Sequence, residues 1–339
     1  MKKQKLVSKT RTVPARLVES AHMAVQKCRH GTFMYNVNDQ FIGRSLDLYG
    51  DWCDDESFVL GQVLAPGGVV VDAGANIGTH TVFFAKAVDD QGLVVAFEPQ
   101  RLVFQNLCKN VALNGLRNVQ CVMAAVGDAR GRLTFPAIDP GRSFNFGAVK
   151  ASADGAGETV DVIPIDELDL QRCDLIKVDV EGMEAKAIAG ATQTIERCRP
   201  VLYLENDTVE RSRGVLEAVA SVVYKDFWHI APYYTAKNFF GNEDNVFGHF
   251  QSEANVFCVP KEAPMTGLVA VEGLEDDWTK AVGRMSRERD EGARWRRRLP
   301  RRVERVFAIA WRWSMGKFAP LVMIRRQAAV RSQPGREAS

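Results

Sequence analysis

The sequence predicts an α/β fold, a mostly parallel sheet with helices on both faces. Three observations predict it. Short apolar runs alternate with helix-length stretches along most of the chain. The first run, Val69–Val71, is wholly apolar, and it breaks after Asp72 into a glycine-rich turn. Parallel strands need crossover connections, and strands covered on both faces lose the polar alternation of a half-exposed sheet.

Residues 1–30 are basic and amphipathic and predict a helix with a frayed start. Residues 32–50 set turn residues between aromatic and aliphatic positions, which predicts a hairpin. Residues 51–64 predict a helix running into the turn Pro66-Gly67-Gly68. Core strands follow at Val69–Asp72, Leu93–Phe97, Val119–Val126, Leu175–Val178 and Val201–Leu204, with helices at Thr79–Val88, Arg101–Leu113 and Glu184–Ile195. Residues 130–162 read as an insertion of strand, loop and strand. Two late strands, Trp228–Ala231 and Asn255–Val259, flank the loop NFFGNEDNVFG. The expected organisation is an N-terminal extension over 1–64, a core domain over 65–260, a linker over 261–283 and a basic tail over 284–339.

The 339 residues suit one large domain with extensions or two modest ones. A net charge of +2 gives no strong field over the whole molecule, so charge alone names no polyanionic partner. Seven cysteines without CxxC spacing predict reduced thiols and a cytoplasmic setting. The start, MKKQKLVSKTRTVPARL, lacks the apolar segment of a signal peptide, and no apolar run reaches the roughly 18–20 residues that span a bilayer.

The chemistry is concentrated in VVVDAGANIG (69–78) and LVVAFEP (93–99). Gly74, Ala75 and Gly78 keep the turn bare, so a ligand can sit against backbone N–H groups at the start of the next helix. Glu98, at the end of the second strand, is placed to accept hydrogen bonds from both ribose hydroxyls of an adenosine-containing cofactor. A dinucleotide site would want small residues at 79 and near 81, where Thr79-His80-Thr81 stands. Asp72 suits a cationic group better than a pyrophosphate, such as the amine of S-adenosylmethionine (SAM). Asp72 also reads as a helix cap, and Glu98 as a solvated strand end.

The chain resembles the FkbM-type branch of the class I SAM-dependent methyltransferases. The residues that carry the resemblance are Tyr49-Gly50-Asp51-Trp52 with Glu56, VVVDAGANIGTHT, VVAFEP, the helix end Asn110–Asn114, AAVGD (124–128), LIKVDVEGMEAKAIAGA (175–191) and RPVLYLEN (199–206). The resemblance implies a Rossmann-like, seven-stranded, mostly parallel sheet with one antiparallel strand near its end. It also implies SAM as cofactor and methyl transfer, usually to oxygen. It points to Asp72, Gly74, Asn76, Gly78 and Glu98 around the cofactor, and to Ala124 and Ala125 along the adenine. Tyr49, Trp52 and Glu56 would lid the cofactor, with aromatic rings near the sulfonium.

A neutral hydroxyl is a poor nucleophile, so a base beside the transferred methyl is expected. The ligand of such a sheet lies outside the carboxyl ends of its strands, which makes Asp179, Glu181 and Glu205 the candidates. Of these, Asp179 or Glu181 is expected to orient or deprotonate the acceptor, with His80 facing the same place. The competing reading is an Asp179–Lys177 ion pair with Glu181 as a helix cap and His80 as a plain helix histidine. No metal is expected, since the spacing of Asp179, Glu181, Glu205 and His80 is not diagnostic of one. His229 and His249 read mainly as structural.

The expected activity is SAM-dependent O-methylation of a hydroxyl on a small molecule or glycan, a sugar being favoured. The rivals are a methyltransferase-fold scaffold without turnover and a NAD-dependent oxidoreductase or epimerase. The segment 294–326 mixes Arg clusters with Trp and Phe and suits peripheral contact with an anionic membrane. No nucleic-acid motif accompanies it.

Overall fold

A computed structural model describes residues 14–152, 155–222, 224–248, 252–263, 265 and 267–297. Strands β1 (Val18–Glu19), β2 (Met23–Lys27) and β3 (Thr32–Asn36) form a small antiparallel sheet, followed by helices α1 (Ile42–Tyr49) and α2 (Asp54–Gly61). The core then alternates as β4 (Val69–Ala73), α3 (Thr79–Val88), β5 (Leu93–Phe97), α4 (Arg101–Leu113) and β6 (Val119–Val122). Three short strands, β7 (Ala125–Val126), β8 (Gly131–Phe135) and β9 (Glu158–Ile163), make a separate sheet. The core resumes with β10 (Leu175–Val178), α5 (Glu184–Ala189), α6 (Thr192–Cys198), β11 (Val201–Glu205) and α7 (Val209–Ala220). It closes with β12 (Tyr224–Pro232), β13 (Ser252–Pro260), β14 (Val269–Ala270) and α8 (Trp278–Arg297).

The main sheet has the order β14-β12-β13-β11-β10-β4-β5-β6. From β6 to β11 all neighbours are parallel, and β13 runs against both β11 and β12. The expected seven strands are therefore eight, because the two residues of β14 add to the edge at β12. Neighbouring residues of one strand serve opposite layers. Val71, Val95, Ile176 and Leu202 pack toward α5, α6 and α7. Val70, Val94, Leu175 and Tyr203 pack toward α2 and α3. Both layers are apolar, which is why these strands read as continuous hydrophobic runs.

Several expected elements are corrected. The described part of 1–30 is β1 and β2, and no helix forms there. The hairpin lies between β2 and β3, so it starts earlier than the expected 32–50, and the end of that segment is α1. Its Ile42, Leu46 and Tyr49 stand at helical spacing and are all buried. The strand expected over Val119–Val126 ends at Val122, and Ala125–Val126 join the separate sheet beside β9.

The expected linker 261–283 is held to the domain at its C-terminal end. Asp276 accepts a hydrogen bond from Trp228 Nε1 at 3.0 Å and pairs with Arg284, and Ala281 is fully buried. The tail beyond residue 297, with most of the Arg/Trp segment, lies outside the described residues, as does His249. Among the described residues no helix is long and apolar enough to cross a membrane.

Candidate active site

The turn after β4 is built by close approach. Gly74 has φ +83°, and a Cβ there would lie 1.8 Å from the Asp179 carbonyl oxygen at the end of β10. Only glycine fits a left-handed residue against a neighbouring backbone. Asn76 is also left-handed, at φ +51°, a conformation its short amide side chain tolerates. At Gly78 a Cβ would meet Leu107 of α4, so this glycine serves helix packing.

Glu98 follows β5 and is 4% exposed. One carboxylate oxygen accepts from Asn76 N at 3.0 Å and the other from Gln100 N at 2.8 Å. Each oxygen keeps a further lone pair. Burial pushes this carboxyl up to about 7, against the pull of the two N–H groups. Beside it runs a narrow apolar slot of about 40 Å³, bounded by Phe97, Ala124, Ala125, Val149 and Met183. Gln100 reaches this slot. Its Nε2 donates to the Phe146 carbonyl at 3.2 Å, while its buried Oε1 has no partner among the described residues.

The slot opens into a polar cavity of about 310 Å³. Gly74, Glu98, Asp179 and Glu181 line both spaces and so mark their junction. Lys177 is buried just behind, with Nζ 2.9 Å from Asp179 Oδ2 and 4.0 Å from Asp72 Oδ1. Burial opposes its charge, but Asp179, Asp72 and Glu56 outweigh that and hold it above the usual lysine range. Glu181 sits at φ +47°, and burial followed by the Asp179 charge pushes its carboxyl up to about 7. His80 also lines the cavity, and burial together with the Lys177 charge holds it neutral, well below the usual histidine range.

The structure thus brings Gly74, Asn76, His80, Glu98, Ala124, Ala125, Asp179, Glu181 and Trp52 onto one crevice. Trp52 forms its wall, stacked on Tyr233 at 5.1 Å between centroids. Four expected cofactor residues stand elsewhere. Asp72 is fully buried, accepts from Thr81 Oγ1 at 2.6 Å and faces Lys177, so its cation belongs to the protein. Gly78 packs against α4, as above. Tyr49 is an interior residue whose hydroxyl donates to the Asp244 carbonyl at 2.8 Å and accepts from Val246 N. It therefore fastens the 238–247 loop and lids nothing. Glu56 lies behind His80, 3.2 Å from its Nε2, and accepts from Asn255 Nδ2 at 2.7 Å.

Both readings of the acids that follow β10 are partly met. The Lys177–Asp179 pair forms, yet Asp179 and Glu181 still face the cavity; among the described residues no side chain caps α5, and its first residue, Glu184, accepts from Gly182 N of the preceding loop at 2.8 Å. His229 is buried against the Tyr203 hydroxyl at 2.7 Å, away from the cavity. Among the described residues no three His, Cys, Asp or Glu side chains gather in metal-binding geometry.

Sequence reasoning missed Gln100 and Glu253. Gln100 directly follows the Glu98-Pro99 pair. Glu253 opens an antiparallel strand, whose beginning lies at the carboxyl ends of its parallel neighbours. A search of strand ends alone passes over it.

The sequence profile of the methyltransferase FkbM domain matches residues 72–239. Methyltransferase 1 of Beauveria bassiana (strain ARSEF 2860) is 32% identical over 143 residues, which is 36% of this chain and 57% of that protein. Methyltransferase sdnD of Sordaria araneosa is 29% identical over 191 residues, 46% of this chain and 70% of that one. Among solved structures, the methyltransferase FkbM of Methylobacillus flagellatus KT aligns with 18% identity and a TM-score of 0.39, covering 56% of this chain and 43% of that one. The chain spans little more than half the length of the first of these relatives.

Proposed function

The chain belongs to the FkbM methyltransferases, and from that premise we propose that it transfers a methyl group from SAM to a hydroxyl of a small molecule or glycan, with a sugar favoured. The observation that carries the reading is the junction between the two spaces. A buried carboxylate with a free lone pair on each oxygen stands beside an apolar slot that holds an unpartnered amide oxygen, and both adjoin a cavity with its own carboxylates.

These residues fit SAM. Glu98 would accept from the ribose hydroxyls and Gln100 Oε1 from the adenine amine, while Ala124, Ala125 and Met183 would cover the ring faces. SAM supplies a methyl group that is electrophilic without further activation. The protein must then hold the acceptor in line, exclude water and take up one proton. We assign the proton to Glu181. Its left-handed backbone turns it to the junction, and burial leaves it a base near neutrality. Asp179 is held by Lys177 beside the transferred group. His80 is a neutral polar wall.

Calorimetric titration with SAM, S-adenosylhomocysteine and NAD tests the cofactor. Micromolar binding of the first two without NAD is expected, and binding of NAD alone would overturn the reading. The base has its own test. A base is active unprotonated, so turnover should rise with pH through about 7 and level off above it. Glu181→Gln should lower kcat by about 10²–10⁴ and remove that inflection, while SAM affinity stays within about twofold. An unaltered pH profile would remove Glu181 from the role.

A further inference from the structure

The acids lining the cavity and buried behind it are not equal in their partners. Asp72 and Asp179 share Lys177. Glu181 lies 4.0 Å from Lys150, and Asp207 lies 3.3 Å from Arg211. Glu205 and Glu253 also line the cavity, yet neither carboxylate has a hydrogen-bond or ion-pair partner among the described residues. Glu205 is 9% exposed, which is deep burial for a carboxylate without a partner. Leaving such a group uncompensated is costly, and a ligand that supplies the missing charge removes the cost.

The two residues belong to one wall. Glu205 ends β11, and β13 runs antiparallel beside it with Glu205 opposite Asn255, so Glu253 projects just past the end of β11. Glu98 stands at the other side of the crevice. The strand order β5-β4-β10-β11 puts three strand spacings between Glu98 and Glu205, about 14 Å at 4.7–4.9 Å each. A cofactor anchored by its ribose at Glu98 leaves this far wall to the acceptor.

We propose that Glu205 and Glu253 form a receptor for an ammonium group, and that the acceptor carries a protonated amine near the hydroxyl that is methylated. An amino sugar or a similar amino alcohol has this chemistry. The inference rests on the methyltransferase reading and narrows its substrate class. Burial, then Asp179 and the neighbouring acids, pushes both carboxyls well above their usual range. A cation between them would favour their ionised forms. An acceptor bearing phosphate or carboxylate at this end would meet repulsion instead, which supplies discrimination.

The test loads the full-length protein with S-adenosylhomocysteine and titrates glucosamine and galactosamine against glucose, galactose and N-acetylglucosamine. The amino sugars should bind at least tenfold more tightly than the neutral sugars. Glu205→Gln and Glu253→Gln should each reduce that preference to threefold or less, with S-adenosylhomocysteine affinity within twofold of wild type. Each variant should melt at or above the wild-type temperature, since a carboxyl that its surroundings hold against ionisation has been neutralised. Equal binding of the two classes overturns the proposal, and so does a preference that survives in both variants. Loss of S-adenosylhomocysteine affinity in Glu205→Gln overturns it as well, by moving the residue to the cofactor. If S-adenosylhomocysteine does not bind the wild-type protein at all, the methyltransferase reading falls and this inference falls with it.

Discussion

Replacing Glu98 with alanine is expected to weaken SAM binding by about 1–3 kcal/mol, roughly 5- to 150-fold in Kd, the range for charge-assisted hydrogen bonds lost from a buried site. Two effects add. The ribose loses its acceptor, and the backbone N–H groups of Asn76 and Gln100 lose the carboxylate that fixes the glycine turn. Folding should survive. The carboxyl titrates near 7 in the folded chain against a usual 4.5, so it is harder to ionise there than in the unfolded chain. That difference subtracts stability progressively as pH rises from about 4.5 to 7 and fully above, and the alanine variant is free of it. Titration calorimetry beside a thermal melt separates the two effects. Wild-type affinity in a folded variant would exclude Glu98 from cofactor binding.

The second large effect is expected at Lys177, which is 3% exposed and stands among Asp179, Asp72 and Glu56. Lys177→Ala strands Asp72 and Glu56 in the interior without their cation and leaves the part-exposed Asp179 unpaired. Removing one member of a buried charge pair costs about 3–5 kcal/mol, a large part of the stability of an ordinary domain. Denaturant unfolding should show that loss. Adding Asp72→Asn to the same chain should recover part of it, because the two sites share one interaction. A loss below about 1 kcal/mol would mean that the carboxyl groups simply take up protons and that Lys177 balances nothing.

Much of the fold was legible because its signals are local. The wholly apolar Val69–Val71 could only be a strand covered on both faces, and Gly74 read as a bare turn, though the close approach the structure shows there is that of the Asp179 carbonyl. The place of Glu98 on the crevice was legible for the same reason, since it follows an apolar run directly. Tyr49 and Glu56 misled because their partners are distant in sequence: Tyr49 bonds to residues 244 and 246, and Glu56 to Asn255. Asp72 misled because Lys177, its cation, comes from the neighbouring strand through a register that no single segment reveals. The β1–β2 region was misjudged because basic residues and scattered aliphatic ones suit either a helix or a pleated strand, and pairing with β3 decided between them. Glu253 escaped because the direction of β13 is a property of topology alone.

The strand order also sets a timetable for the growing chain. Both neighbours of β12, namely β13 and β14, come later in the sequence than β12 itself. Tyr224–Pro232 therefore has no sheet partner until synthesis has passed Pro260. The parallel block from β4 to β11 has no such wait. The half that bears Glu98 can assemble while the ribosome is still making the rest, and the half that bears Glu253 closes last. A chain halted before Ser252 would carry the slot beside Glu98 nearly complete and next to an unpaired β11 edge, a species prone to pair with other chains.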